Sequence, residues 1–220
     1  MPFSSALRRA LLSALAVSTL SVAAQNSANQ AAGESKGLPP RATSSDYQAE
    51  GKAGALTIGA EFVGHSAPTP DAIYTTDDFV VVEIGLFGTA PVNVSLGDFS
   101  LRINGAKKTI PAQPYEMAFK TLMDPAWQPP KQEEKSKTSI GGGGGGAGQD
   151  TGPPPPVHMP LEIRRPMEQH VTRAAMLEGQ FPLPRAGLVF FEYHGKAKGV
   201  RSVDLIYSGP AGNTTIPLHP

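Results

Sequence analysis

The chain has 220 residues, with 19 Lys and Arg against 19 Asp and Glu, and it contains no Cys. This length allows one ordinary domain with additional segments. The balanced charge argues against a nucleic-acid partner and against electrostatic attachment to an anionic membrane, because both favour a basic protein surface. The lack of Cys excludes disulfides, thiolate metal sites and a cysteine nucleophile, so a folded domain must be held together by its core.

The start of the chain has the pattern of a secretory signal peptide, at residues 1–24. Arg8 and Arg9 precede an apolar stretch that is short for a membrane span, and small residues up to Ala24 suit cleavage. We expect export to the periplasm or the extracellular space, with no stable membrane anchor after cleavage. Residues 25–53 are rich in Ser, Ala, Gln and Asn without an apolar period, which predicts a flexible spacer before a domain at residues 54–220.

The domain begins with alternating apolar and polar side chains at residues 54–65, which predict the first strand. The Pro-containing residues 66–76 predict a loop. Short alternating segments at residues 92–96 and 99–103 predict two further strands. Asn104-Gly105, a strong hairpin signal, is expected to turn the chain directly into a strand at residues 107–110.

The most apolar strand is predicted between the first strand and these short segments, in the run FVVVEIGLF. Both of its faces are largely apolar, which indicates a strand in the middle of a sheet with cover on both sides. One face carries Phe79, Val81 and Phe87. Either a helix covers this face or a partner binds there.

The second half of the domain starts with an ambiguous segment at residues 115–123, which fits a short strand or a helical turn. The Gly- and Pro-rich residues 129–156 predict a disordered insertion. Residues 166–178 predict a short helix, because Pro166 suits a first helical position and Gly179 suits the position after a helix.

Three more strands are predicted near the end of the chain, within residues 187–193, 202–207 and 214–218. About seven to eight short strands separated by turns indicate an all-β fold, an antiparallel immunoglobulin-like β-sandwich with one short helix and the disordered insertion.

The order of these strands also resembles that of a known family. A long apolar strand is followed by DFSLR ending at NG, and after an interval by GLVFFEY and SVDLIYSG. This order is similar to that of bacterial extracellular immunoglobulin-like domains of the telokin-like type, over roughly residues 54–110 and 185–218. The resemblance implies an exported bacterial binding or structural module without catalytic activity, and it transfers no site residues.

Patterns for chemistry are weak in this chain. No two His residues have the spacing that places two imidazoles on one metal. Asp71, Asp77 and Asp78 precede the central strand, but the Gly-spaced loop of a calcium site is missing. Ser202 and Asp204 lack the Gly-x-Ser-x-Gly elbow of a hydrolase. We therefore expect no enzyme activity, no cofactor and no metal.

Trp127, the single Trp, is the candidate anchor of a binding surface. It could stack on a sugar or fill a pocket of a partner protein, or it could pin the start of the insertion to the domain. With Phe79, Val81 and Phe87 it forms the set of candidate interaction residues. Because a carbohydrate module normally exposes several aromatic side chains, we expect a module that binds an unknown protein or supports envelope or extracellular assembly. An extracellular carbohydrate or small ligand is the alternative.

Overall fold

The computed structural model of the protein describes residues 37–129 and 159–220. The predicted signal peptide, the first part of the predicted spacer and all of the predicted insertion except Pro129 lie outside the described residues. The described residues form mostly antiparallel β-strands with one α-helix, so the predicted all-β class is confirmed.

The described strands number 13, more than the seven to eight predicted. They are β1 (Ala49–Ala53), β2 (Leu56–Gly64), β3 (Ser66–Pro68), β4 (Ile73–Thr76), β5 (Phe79–Phe87), β6 (Val92–Val94), β7 (Phe99–Ile103), β8 (Ile110–Gln113), β9 (Leu122–Met123), β10 (Gly179–Phe181), β11 (Arg185–Glu192), β12 (Val203–Gly209) and β13 (Gly212–Leu218). The α-helix is α1 (Leu161–Ala174), and 3-10 helices lie at Ser44–Asp46, Leu96–Asp98, Tyr115–Lys120 and Ala197–Gly199.

Eight strands form one sheet in the order β1-β2-β5-β11-β8-β7-β12-β13. The sheet bends so far that its two end strands meet: a Cβ atom placed on Gly51 of β1 would lie 2.7 Å from Cγ1 of Ile216 in β13. β8 joins the two halves, because Ala112 pairs with Phe191 of β11 and Ile110 pairs with Leu101 of β7. The bend encloses the main core, and the alternation of side chains along each strand directs one face inward.

β5 lies between β2 and β11, as the two-sided apolar pattern predicted. Its inward side chains are buried in the main core; they are Val80, Val82, Ile84 and Leu86. Its outward side chains are covered by two different elements. α1 and the segments beside it cover Phe79 and Val81, and the segment before β1 covers the other half of the strand.

α1 packs on the outward face through Met167, Val171 and Ala174, which recur at helical spacing. The predicted bounds, residues 166–178, were wrong. The helix begins five residues earlier, so Pro166 lies inside it. It ends at Ala174 because the next residues leave the helical conformation and the backbone N–H of Met176 donates to the carbonyl oxygen of Leu188 in β11.

A small three-stranded sheet, in the order β3-β4-β9, lies in the region predicted as a loop. Pro68 ends β3, and the hydroxyl of Thr69 accepts a hydrogen bond from the N–H of Ala72 at 3.1 Å, which closes the connection to β4. The loop prediction was wrong because the prolines lie at the end of the short strand and in the turn, where no ladder hydrogen bond is needed from them.

The segment before β1, residues 37–48, crosses the outward face of the main sheet, and we name it the strap. Leu38 forms a bridge to Ala186 of β11, and Tyr47 lies over β5 and β2. β1 then adds to the edge of β2. The prediction of a flexible spacer is therefore wrong for residues 37–53. No local pattern predicts this packing, since the strap is mostly polar and contains a single aromatic residue.

Tyr47 fits into a slot between two glycines that face each other, Gly59 of β2 and Gly85 of β5. A Cβ atom on either glycine would lie 2.5 Å from the Tyr47 side chain, so only glycine leaves room for the ring. Next to this slot, Glu61 and Glu83 also face each other across the two strands. Two carboxylates in this position repel each other unless a cation lies between them.

Arg41 supplies that cation. Its guanidinium lies 2.5 Å from Glu61 and 3.1 Å from Glu83, and it stacks on the Tyr47 ring at 4.4 Å from the ring centre. Burial acts to lower the pKa of Arg41, but the hydrogen bonds and charges of Glu83 and Glu61 outweigh burial and raise it. The strap is thus held by one buried ring and one paired charge.

Candidate functional site

One layer of the domain carries an exposed apolar surface. We name this the outer layer: the β3-β4-β9 sheet, the 3-10 helix Tyr115–Lys120 and α1. Among the described residues, every large hydrophobic side chain that is exposed belongs to it; these are Ile73 at 60%, Met117 at 54%, Leu161 at 50% and Met123 at 41%. None belongs to the eight-stranded sheet.

The small sheet presents part of this surface because its strands alternate. Its inner side chains, including Tyr74 and Leu122, are buried against α1 and β5. Since Thr75 is directly opposite Met123, Ile73 and Met123 share the outer face as diagonal neighbours. Two exposed apolar side chains are therefore presented side by side by two short strands.

A chain of polar contacts fastens α1 to the small sheet. The Tyr74 hydroxyl lies 2.7 Å from Nδ1 of His170, and Nε2 of His170 lies 3.6 Å from a carboxylate oxygen of Asp71. This order of groups is reminiscent of a catalytic triad. However, burial raises the pKa of Tyr74, and the charges of Asp124 and Asp71 raise it further. The phenol therefore stays protonated and buried, and the contacts serve to hold the outer layer together.

A second polar group lies at the ends of β5 and β11. Nδ1 of His194 is 3.1 Å from Asp78, and Nε2 is 3.2 Å from Glu192. The three aspartates before β5 therefore do not form one cluster, since Asp71 contacts His170 and Asp78 contacts His194.

The pKa of His194 should be measurably high. Its hydrogen bond to Asp78 raises the pKa most and outweighs the opposing effect of desolvation, and the charge of Asp78 and the contact with Glu192 raise it further. We expect an NMR titration to give a value above the ordinary 6.5 or so, and Asp78→Asn to lower it. The stabilisation from this pair is present below about pH 6.5 and is lost as the pH rises through the folded-state value. Glu192→Gln should lower the pKa less than Asp78→Asn; an equal pKa in wild type and Asp78→Asn would contradict the assignment.

The residues selected from the sequence have different positions. Phe79 and Val81 are buried beneath α1, so they lie in the core rather than on a surface, and the helix is their cover. Phe87 is half-buried and packs edge-on against Tyr47, with ring centres 6.0 Å apart. Trp127 is half-buried in a turn four residues after β9, where its backbone N–H donates to the backbone carbonyl oxygen of Asp124.

Sequence reasoning missed the four exposed apolar residues. Ile73 and Met123 lie on strands of four and two residues, which are too short for alternation to reveal an exposed face. Met117 lies in a segment that fitted either a strand or a helical turn. Leu161 precedes the predicted start of the helix.

Within residues 37–129 and 159–220, no group of three or more His, Asp or Glu side chains is arranged to hold a metal. Asp204 pairs with Arg102 of the neighbouring strand at 3.8 Å, while Ser202 lies in the loop before β12, so the two do not form a hydrolytic pair.

No helix in this described part is both long and apolar enough to cross a membrane. Comparison of the chain with models of protein families, with curated proteins and with solved structures found no match.

Proposed function

We propose that the protein is an exported, non-enzymatic β-module that binds a partner protein through the outer layer and supports assembly in the envelope or outside the cell. The observation that carries this proposal is the confinement of all exposed large hydrophobic side chains of the described residues to that layer. Exposed apolar surface grouped in this way is typical of protein interaction sites.

The shape of the surface favours a protein over a small ligand. The four side chains stand on a helix, a helical turn and two short strands, and each is at least two-fifths exposed. Small-molecule sites are concave and bury most of the ligand, whereas such projecting side chains suit the apolar segment of a partner protein. Trp127, close to β9 along the chain, adds the aromatic type that dominates binding energy in interfaces.

The finer fold assignment is part of the same proposal. An antiparallel sheet that bends until its end strands meet supports an immunoglobulin-like sandwich, in which two halves of the sheet face each other across a core. The export step rests on residues 1–24, which have the sequence pattern of a signal peptide.

Site-specific photo-crosslinking in the exporting cell tests the proposal. A photoreactive residue at position 73 or 123 should give one discrete adduct, and the same residue at the exposed Lys52 of β1 should not. With the adduct's partner purified, Ile73→Glu with Met123→Glu should raise the Kd at least about tenfold, while Lys52→Glu leaves it unchanged. Equal labelling at position 52, or an unchanged Kd, would overturn the proposal.

Carbohydrate binding remains the alternative outcome. It would appear as glycan-array binding that disappears in Trp127→Ala, because aromatic stacking is the means by which a single Trp would hold a sugar. The crosslinking result and the array result are independent, so each outcome is recognisable.

A further inference from the structure

Two loops at one end of the eight-stranded sheet are fastened to each other by Asn104. We name residues 104–109 and 194–202 the basic loops. The Asn104 side chain accepts a hydrogen bond from the N–H of Arg201 at 2.7 Å and donates one to the carbonyl oxygen of Gly199 at 2.8 Å. Its own N–H donates to the carbonyl of Ser202 at 2.9 Å. These contacts hold both loops in one arrangement.

The turn at this point also corrects a prediction. Asn104 has φ +53° and Gly105 has φ +65°, so the two residues form the expected tight turn. However, the next strand begins at Ile110 rather than at residue 107, and the side chain of Asn104 bonds the other loop. Residues 106–109 therefore lie outside the strands, and Lys107 and Lys108 among them are exposed.

The basic loops carry a marked excess of positive charge. Their cationic side chains are all exposed; they are Lys107, Lys108, Lys196, Lys198 and Arg201. Neither loop contains Asp or Glu. None of the five cations forms an ion pair with a described residue, and the nearby carboxylates have other partners: Asp204 pairs with Arg102, and Glu192 with His194.

An apolar cavity of about 240 Å³ adjoins the second basic loop. Ala197 and Val200 form part of its wall, so the turn that displays Lys196 and Lys198 also borders the cavity. The rest of the wall is mostly apolar and includes Phe62, Val63, Val80 and Pro220.

The base of this loop is also held in place. The ring nitrogens of His65 lie 3.0 Å from the carbonyl oxygen of Thr76 and 3.1 Å from that of Gly195. A neutral imidazole has a single N–H, so His65 donates to one of these two carbonyls, and its ring lies at the base of the loop. Within the loop, the N–H of Gly199 donates to the carbonyl oxygen of Lys196, so the backbone that carries the cations is held beside the cavity.

We propose that this end of the domain binds an anionic amphiphile, with a hydrocarbon chain in the cavity and a phosphate-like head group against the basic loops. A free anion would use only the cations, and a neutral lipid would use only the cavity, so the two features together define the ligand class. Neither the five cations nor the residues that line the cavity belong to the outer layer, and the inference is independent of the proposed partner protein.

Calorimetry with alkyl phosphates below their micelle concentration tests the inference. Dodecyl phosphate should bind at least about tenfold more tightly than inorganic phosphate or dodecyl maltoside. Shortening the alkyl chain should weaken binding by about fourfold for each methylene that leaves the cavity. Equal affinity for inorganic phosphate, or no dependence on chain length, would overturn the inference.

Variants separate the head-group site from the cavity. Lys196→Glu with Lys198→Glu should raise the Kd for dodecyl phosphate at least about tenfold, as should Ala197→Trp, which fills the cavity from an exposed position. The matched control reverses two exposed charges elsewhere, Lys52→Glu with Lys120→Glu, and should leave the Kd unchanged. Thermal unfolding checks that each variant is folded; folded variants that retain wild-type affinity would refute the site.

Vesicles distinguish a single bound molecule from a membrane surface as the source of the amphiphile. Flotation with phosphatidylcholine vesicles containing phosphatidylglycerol, in addition to binding of dodecyl phosphate, would indicate docking to a membrane. Binding of dodecyl phosphate without flotation would indicate a carrier of single molecules. Flotation without dodecyl phosphate binding, or equal binding to heparin, would mean that charge alone acts and would overturn the cavity assignment.

Discussion

Tyr47→Ala should lower the free energy of unfolding by about 3–5 kcal/mol, the usual cost of removing a buried aromatic ring. The ring is only 5% exposed and fills the slot above Gly59 and Gly85. Its loss also removes the surface on which Arg41 stacks and the edge contact with Phe87. Urea unfolding followed by circular dichroism measures the change.

Tyr47→Phe is the matched control. The hydroxyl accepts only one long hydrogen bond, 3.5 Å from the N–H of Arg41, so the phenylalanine variant should lose less than about 1 kcal/mol. A loss below 1 kcal/mol in Tyr47→Ala would mean that the strap contributes little and that residues 37–53 behave as the spacer that composition predicts.

The slot can be tested further by combining substitutions. Gly85→Val places methyl groups where the Tyr47 ring lies, so it should destabilise the wild-type protein strongly. In the Tyr47→Ala background the same change meets an empty slot, and its cost should fall by more than about 1 kcal/mol. Additive effects would show that the ring and the glycine do not share this space.

Val171→Asp should cost about 4 kcal/mol or more, because it places a carboxylate without a partner between α1 and the main sheet. Val171 has no exposed surface and lies in the same cluster as Val81 and Phe190. For a domain of this size, we expect the midpoint of thermal unfolding to fall by about 10–15 °C, or the cooperative transition to disappear.

Arg165→Asp controls for the helix itself. It introduces the same side chain into α1 at an exposed position, so it carries the same low helix propensity without the buried charge. We expect a loss of no more than about 1 kcal/mol. Similar melting temperatures for the two variants would contradict the packing of α1 on β5 and β11.

The longer strands were predictable because the spacing of apolar side chains along each of them indicates which faces are buried. β5 carries apolar side chains on both faces over nine residues, and β7 and β12 alternate over five and seven. The turn at Asn104 was also predictable, because positive φ favours Asn followed by Gly. These are local properties, and they establish the all-β class.

The candidate sites were less predictable because they depend on which segments meet. Residue type selected Trp127, Phe79 and Val81 as candidate interaction residues. However, residue type does not distinguish a surface side chain from a core side chain, and Phe79 and Val81 are buried. Ile73 and Met123 become neighbours only through the pairing of β4 with β9. In that pairing Thr75 lies opposite Met123, 48 residues further along the chain, so no local pattern records it.

By itself, the sequence determined the class of fold, the central position of β5 and the need for cover on both of its faces. Only the tertiary structure decided what the cover is: α1 over one half, and the strap with Tyr47 and Arg41 over the other. The same holds for charge. Composition shows a neutral chain, whereas folding brings five exposed cations into two adjoining loops. The reason is physical. The periodicity of apolar residues shows that one face of a segment is buried, whereas the segment that covers this face is decided by contacts between residues distant in sequence.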